Sequence, residues 1–142
     1  MSIKNNSFQY YNPHPSGRKT DDCVIRALTI AVGKTWKEVY KELLETGWIL
    51  SDMPNSQLVY EHFLKEHGFE RHTVKVVKGE KRPTVRDMTN EDAAIIICRV
   101  AHHLVTIKDH IIKDHIIYDT WDSGNKSVYS YYIKSEIKGG KS

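Results

Sequence analysis

The spacing of apolar residues changes character midway along this chain, and that change limits the folds open to it. Val24, Ile25, Leu28, Ala31 and Val32 recur at three- and four-residue intervals, one face of a helix that Gly33 can end. "TWKEVYKELLETGW" repeats the period, with Thr35 and Glu38 at capping-box spacing and Gly47 in the place of a glycine stop. "NSQLVYEHFLKEHGF" follows the same plan, with Ser56 as cap and Gly68 as stop. Beyond it the period falls to two. "FERHTVKVV", "AAIIICRV", "HLVTIKD" and "IIYDTWD" read as strands, and "KSVYSYYIK" sets Val128, Ser130 and Tyr132 against Tyr129, Tyr131 and Ile133. "RPTVRDMTNED" reads as connecting structure. Helices first and strands afterwards predict an α+β chain, its N-terminal helices packed on a mainly antiparallel C-terminal sheet.

A chain of 142 residues fits one domain with one sizeable core, and no internal boundary interrupts it. Residues 1–20 carry Pro13, Pro15 and Gly17 and are expected as an extended polar lead-in, and residues 134–142 as a flexible tail. The net charge of +3 comes from basic residues interleaved with acidic ones, as in "KEVYKELLE", so no nucleic-acid partner is expected. The longest apolar run, Ala93–Cys98, is too short to span a bilayer, and the N-terminus shows no apolar leader. A cytoplasmic location with no membrane partner follows as the expectation. There the two cysteines are free thiols rather than a disulfide.

Cys98 sits in the apolar run as a small core residue, whereas Cys23 falls in the first turn of the first helix, with Thr20, Asp21 or Asp22 as cap. Unpaired amides and the positive end of the helix dipole favour a thiolate there, although Asp21 and Asp22 oppose it. A nucleophilic cysteine needs a base and the base an orienting acceptor. Of eight histidines, His102 and His103 open the "HLVTI" strand, where a side chain can face a cleft. If the next strand pairs back, Asp119 or Asp122 returns to their level. Trp36, Trp48, Tyr118 and Trp121 are candidates to line a substrate cleft.

The order "YYNPHPSGRKTDDCVIRALTIAVGKTWKEVYKELLE", then "HHLVTIKD" and "IYDTWDS", resembles small papain-like cysteine peptidase domains of bacteria and their phages. It is similar in plan to bacteriocin-processing cysteine peptidases. The resemblance covers roughly residues 8–133. It implies a papain-like fold and a thiol hydrolase acting on a peptide or protein, in the cytoplasm of a bacterial host, with no cofactor and no metal. Position by position it makes Cys23 the nucleophile, His103 the base and acid, and Asp119 the acceptor, with His102 and Asp122 in reserve. Such enzymes place an oxyanion-donating glutamine about six residues before the cysteine. That position is Gly17 here, so Asn12 or Gln9 is the candidate replacement. The alternative is an inactive papain-like binding module, such as a phage accessory protein that captures or blocks a host factor.

"KDHIIKDHII", residues 108–117, is one five-residue unit written twice. With one copy removed, "HLVTIKDHIIYDTWD" is a hairpin with a two-residue turn. Five is odd, and a simple slip by an odd count would turn the strand over. The duplication is therefore expected as an insertion at the hairpin tip. His110 and His115 would face opposite sides of a regular strand, which argues against a shared metal, and Ile111 and Ile112 would be available for contact.

Overall fold

A computed structural model describes residues 7–91, 93–109 and 115–134. Its elements run β1 (Phe8–Tyr10), α1 (Cys23–Val32), α2 (Trp36–Leu50), α3 (Gln57–Glu66), β2 (Phe69–Thr73), α4 (Val85–Met88), β3 (Ile95–Val100), β4 (His103–Asp109), β5 (His115–Asp119) and β6 (Ser130–Lys134). The chain is α+β, as the change of period implies. The six strands form one mixed sheet in the order β1-β5-β4-β3-β6-β2, antiparallel throughout except where β1 runs parallel to β5.

Part of the lead-in thus becomes an edge strand. Phe8, Gln9 and Tyr10 lie opposite Ile117, Tyr118 and Asp119. The expected Gly47 stop is also corrected: α2 continues to Leu50 and ends at Ser51 in a left-handed conformation, φ 58°. Gly47 serves a different need. The chain folds back so closely that a Cβ at residue 47 would lie 2.6 Å from the Asp52 carbonyl oxygen. "RPTVRDM" holds a short helix, α4, closed by a capping box between Thr84 and Asp87.

One sheet face is covered by α1, α2 and α3 over Leu28, Leu43, Phe63, Ile97, Leu104 and Tyr132. The other carries Val85 and Met88 of α4 against Ile96, Cys98, Val105, Ile107 and Ile117. α1 advances alongside β4: the buried Thr106 hydroxyl donates to the Ala27 carbonyl (2.6 Å), and Lys108 Nζ donates to that of Ile30 (3.0 Å). These two ties fix the start of α1 beside the start of β4.

Of the duplicated segment, residues 110–114 lie outside the described residues, as do Ile111 and Ile112. The strands flanking it pair from Thr106↔Tyr118 to Asp109↔His115, so five residues, the length of one unit, separate the last paired positions. The expected tail beyond Lys134 also lies outside the described residues. No helix among the described residues is long and apolar enough to cross a membrane.

Candidate active site

Cys23 is the first residue of α1 and is half-buried. Its N-cap is Asp22, yet the Asp22 side chain makes no capping hydrogen bond, so the first-turn amides are not spent on it. The carboxylate turns instead to Arg26, one helical turn on, and accepts a second hydrogen bond from Trp36 Nε1 at 2.8 Å. Asp22 and Arg26 are both buried, which is tolerable only because each charge is paired. The acidic flank expected to oppose the thiolate is thereby neutralised at Asp22.

Opposite Cys23, the β3–β4 turn places His102 in the left-handed region, φ 56°, and delivers His103 as the first residue of β4. His103 Nε2 lies 2.6 Å from Asp119 Oδ2, and the imidazole is also hydrogen-bonded to the Cys23 thiol. Pairing between β4 and β5 stops at Thr106, which leaves the Leu104 amide free to donate to Cys23 as well.

Asp119 closes β5. Besides His103, its carboxylate accepts from the Thr120 amide (2.8 Å), the Ser123 hydroxyl (2.8 Å) and, more distantly, Arg26 (3.4 Å). The Tyr11 amide of the lead-in donates to its carbonyl. A buried polar chain therefore runs Trp36–Asp22–Arg26–Asp119–His103–Cys23. A carboxylate held by this many donors is fixed in place, and it fixes the imidazole it faces. Trp121, two residues further on, tilts against the His103 ring with 4.9 Å between centroids.

The electrostatics follow from these partners. Burial raises the pKa of Cys23, but the hydrogen bonds from His103 and Leu104, with the charges of His103 and Arg26, outweigh it, and the thiol ends below its ordinary range. Burial likewise works against a charged His103, yet Asp119 and the cysteine outweigh it and the imidazole is pushed up to about 9. Each shift favours the charged form of its own group, the thiolate at Cys23 and the imidazolium at His103.

Comparison with protein-family models, curated proteins and solved structures gives no match.

The site residues read from sequence separate into two groups. Cys23, His103 and Asp119 come together. His102 lies beside them in the turn, exposed, while Asp122 faces away, its carboxylate paired with Arg86 at 2.9 and 3.1 Å and bonded to the Gly124 amide. The side-chain amides of Asn12 and Gln9 are engaged within the lead-in. Asn12 Nδ2 donates to the carbonyls of Gly17 and Arg18, so it shapes the lead-in turn, and Gln9 Nε2 donates to the Tyr10 carbonyl.

A cleft of about 320 Å³ opens on Cys23 and His103, lined also by Asn55, Gln57, Tyr60, Arg99 and His102. None of the four aromatics read as cleft candidates lines it. Trp36 meets the rings of His14 and Tyr40, tilted to both, Tyr118 borders a different cavity, and Trp48, 87% exposed, belongs to an open apolar groove with Leu44, Met53 and Pro54. Arg26, Ser123, Asn55, Gln57 and Arg99 were not singled out from sequence. Only the first two carried a signal there, each four residues from an aspartate that it now contacts.

Proposed function

We propose that the chain is a papain-like thiol hydrolase that cleaves a peptide or isopeptide-like amide, working in a reducing cytoplasm where its two thiols stay free. The observation carrying this reading is the continuous hydrogen-bonded line from a half-buried thiol through His103 to a buried carboxylate, beside a cleft. In the first step the Cys23 thiolate adds to the amide carbonyl carbon and the carbonyl π electrons move to oxygen. The amides at the start of α1, Cys23's own among them, are the available oxyanion donors. Collapse expels the amine, which takes its proton from the His103 imidazolium, and leaves a thioester. Water then attacks the thioester, giving a proton to His103 and restoring the thiolate.

The test is digestion of a proteome-derived peptide mixture by the parent and by Cys23→Ala, read by mass spectrometry of new termini. Termini made by the parent alone are expected, with a yield that rises as Cys23 deprotonates and falls as His103 loses its proton near pH 9. No parent-specific termini at any pH would contradict the reading. One observation favours the second reading, an inactive binding module that captures a host factor. The Asn12 and Gln9 side chains, which would replace the missing glutamine, are engaged with backbone carbonyls.

A further inference from the structure

The cleft beside Cys23 has a one-sided charge. Its lining holds Arg99, His102, His103, and the Asn55 and Gln57 carboxamides, and it contains no aspartate or glutamate, in a chain with 18 such residues. Arg26, Arg71 and Arg86 each face a carboxylate, whereas Arg82, 4.7 Å from the centre of the Tyr129 ring, and Arg99 enter no ion pair among the described residues; of these two, Arg99 is the one that lines the cleft. Its Nε donates to the Ser130 hydroxyl at 3.3 Å, and its guanidinium lies 5.7 Å from the centre of the Tyr129 ring. Those contacts orient a guanidinium without neutralising it.

The strand register puts this charge near the chemistry. Arg99 is paired across β3–β4 with Leu104, the residue whose amide donates to the Cys23 sulfur. A planar guanidinium that shares a cleft with two carboxamides is suited to a carboxylate, and a cation without an ion-pair partner there attracts one before contact.

We propose that this cleft selects substrates with an acidic side chain, aspartate or glutamate, on the acyl side of the scissile amide, held by Arg99 with Asn55 and Gln57. The proposal rests on the thiol-hydrolase reading, and it adds a specificity-determining residue on β3 that takes no part in the proton transfers.

The experiment compares two affinity labels of equal shape, acetyl-Ala-Glu-chloromethyl ketone and acetyl-Ala-Gln-chloromethyl ketone, by the rate at which each modifies Cys23, mapped by peptide mass. Iodoacetamide labelling at pH 6 is measured in parallel to report the thiolate itself. A charge-assisted hydrogen bond predicts that the Glu reagent reacts about tenfold faster. Arg99→Gln is expected to bring that ratio close to one, and Arg99→Lys to keep the greater part of it. Equal rates with both reagents in the parent, or a ratio unchanged in Arg99→Gln, would overturn the acidic preference while rapid iodoacetamide labelling still upheld the nucleophile. Slow labelling by all three reagents would overturn both.

Discussion

Cys23 and Cys98 carry the same side chain and are taken out of water on folding, one in part and the other wholly, yet their thiols move in opposite directions. Cys98, in the middle of β3, is fully buried among Val85, Ile96, Val105 and Ile117, and burial alone pushes its thiol far up. At Cys23 burial acts in the same sense and is the largest single influence, but it is overcome by an imidazole, a backbone amide and a guanidinium gathered from β4 and α1. Desolvation is thus common to both regions. What differs is whether groups that prefer the anion stand close enough to reverse it.

The polar frame behind Cys23 offers the strongest way to break that contrast. Arg26→Ala removes the one ion-pair partner that the buried Asp22 has among the described residues, and one of two, with His103, of the buried Asp119. Breaking a buried pair by deleting one partner costs about 3–5 kcal/mol, so the melting temperature should fall by roughly 10 °C or more, measured by circular dichroism. Low-pH reactivity at Cys23 should weaken with it. An unchanged melting point would mean that the Trp36–Asp22–Arg26–Asp119 chain does not hold the site together.

The apolar side of the comparison is sharpened by Cys98→Ser. A hydroxyl there has no evident partner in its apolar surroundings, and a buried unsatisfied donor costs about 1–3 kcal/mol. Stability should drop by that amount in a denaturant melt, while the pH profile of Cys23 labelling stays as in the parent. A shifted Cys23 profile would show that the two regions are coupled.

The smallest effect belongs to Trp121→Ala. The ring is 42% exposed and covers one side of His103. Aromatic contacts of this kind are worth about 0.5–1.5 kcal/mol. A loss of about two- to twelvefold in the labelling rate of Cys23 near neutral pH is the expected upper range, checked by single-turnover alkylation.

Much of this was legible in the sequence where one side chain or one period carried the signal. The helices of α1, α2 and α3 announced themselves through apolar spacing and through Thr35 and Ser56, which do cap as expected. Positions at the ends of regular elements narrow the site to Cys23, His102 or His103, and Asp119 or Asp122, and the resemblance to papain-like peptidases points to His103 and Asp119 among them. What could not be read were the consequences of close approach. Gly47 looks like a stop in sequence, and only the return of the chain at Asp52 shows why a helix interior needs a glycine. Asp22 looks like a charge hostile to the thiolate until Arg26 and Trp36 are seen to claim it. Asn12 and Gln9 were plausible oxyanion donors until their amides met nearby carbonyls. Gln57 and Arg99 reach the cleft from α3 and β3, and no local pattern links either to Cys23.

The most direct measurement is the pH dependence of iodoacetamide labelling at both cysteines, in the parent and in His103→Ala, each site quantified by peptide mass. Cys23 should label rapidly near pH 6, where an unperturbed thiol is roughly 99% protonated, and His103→Ala should slow it by about a hundredfold. Cys98 should stay unlabelled until the chain unfolds. If the Cys23 rate instead rises only above pH 8 and does not respond to His103→Ala, the thiolate–imidazolium pair does not exist and the hydrolase reading falls with it.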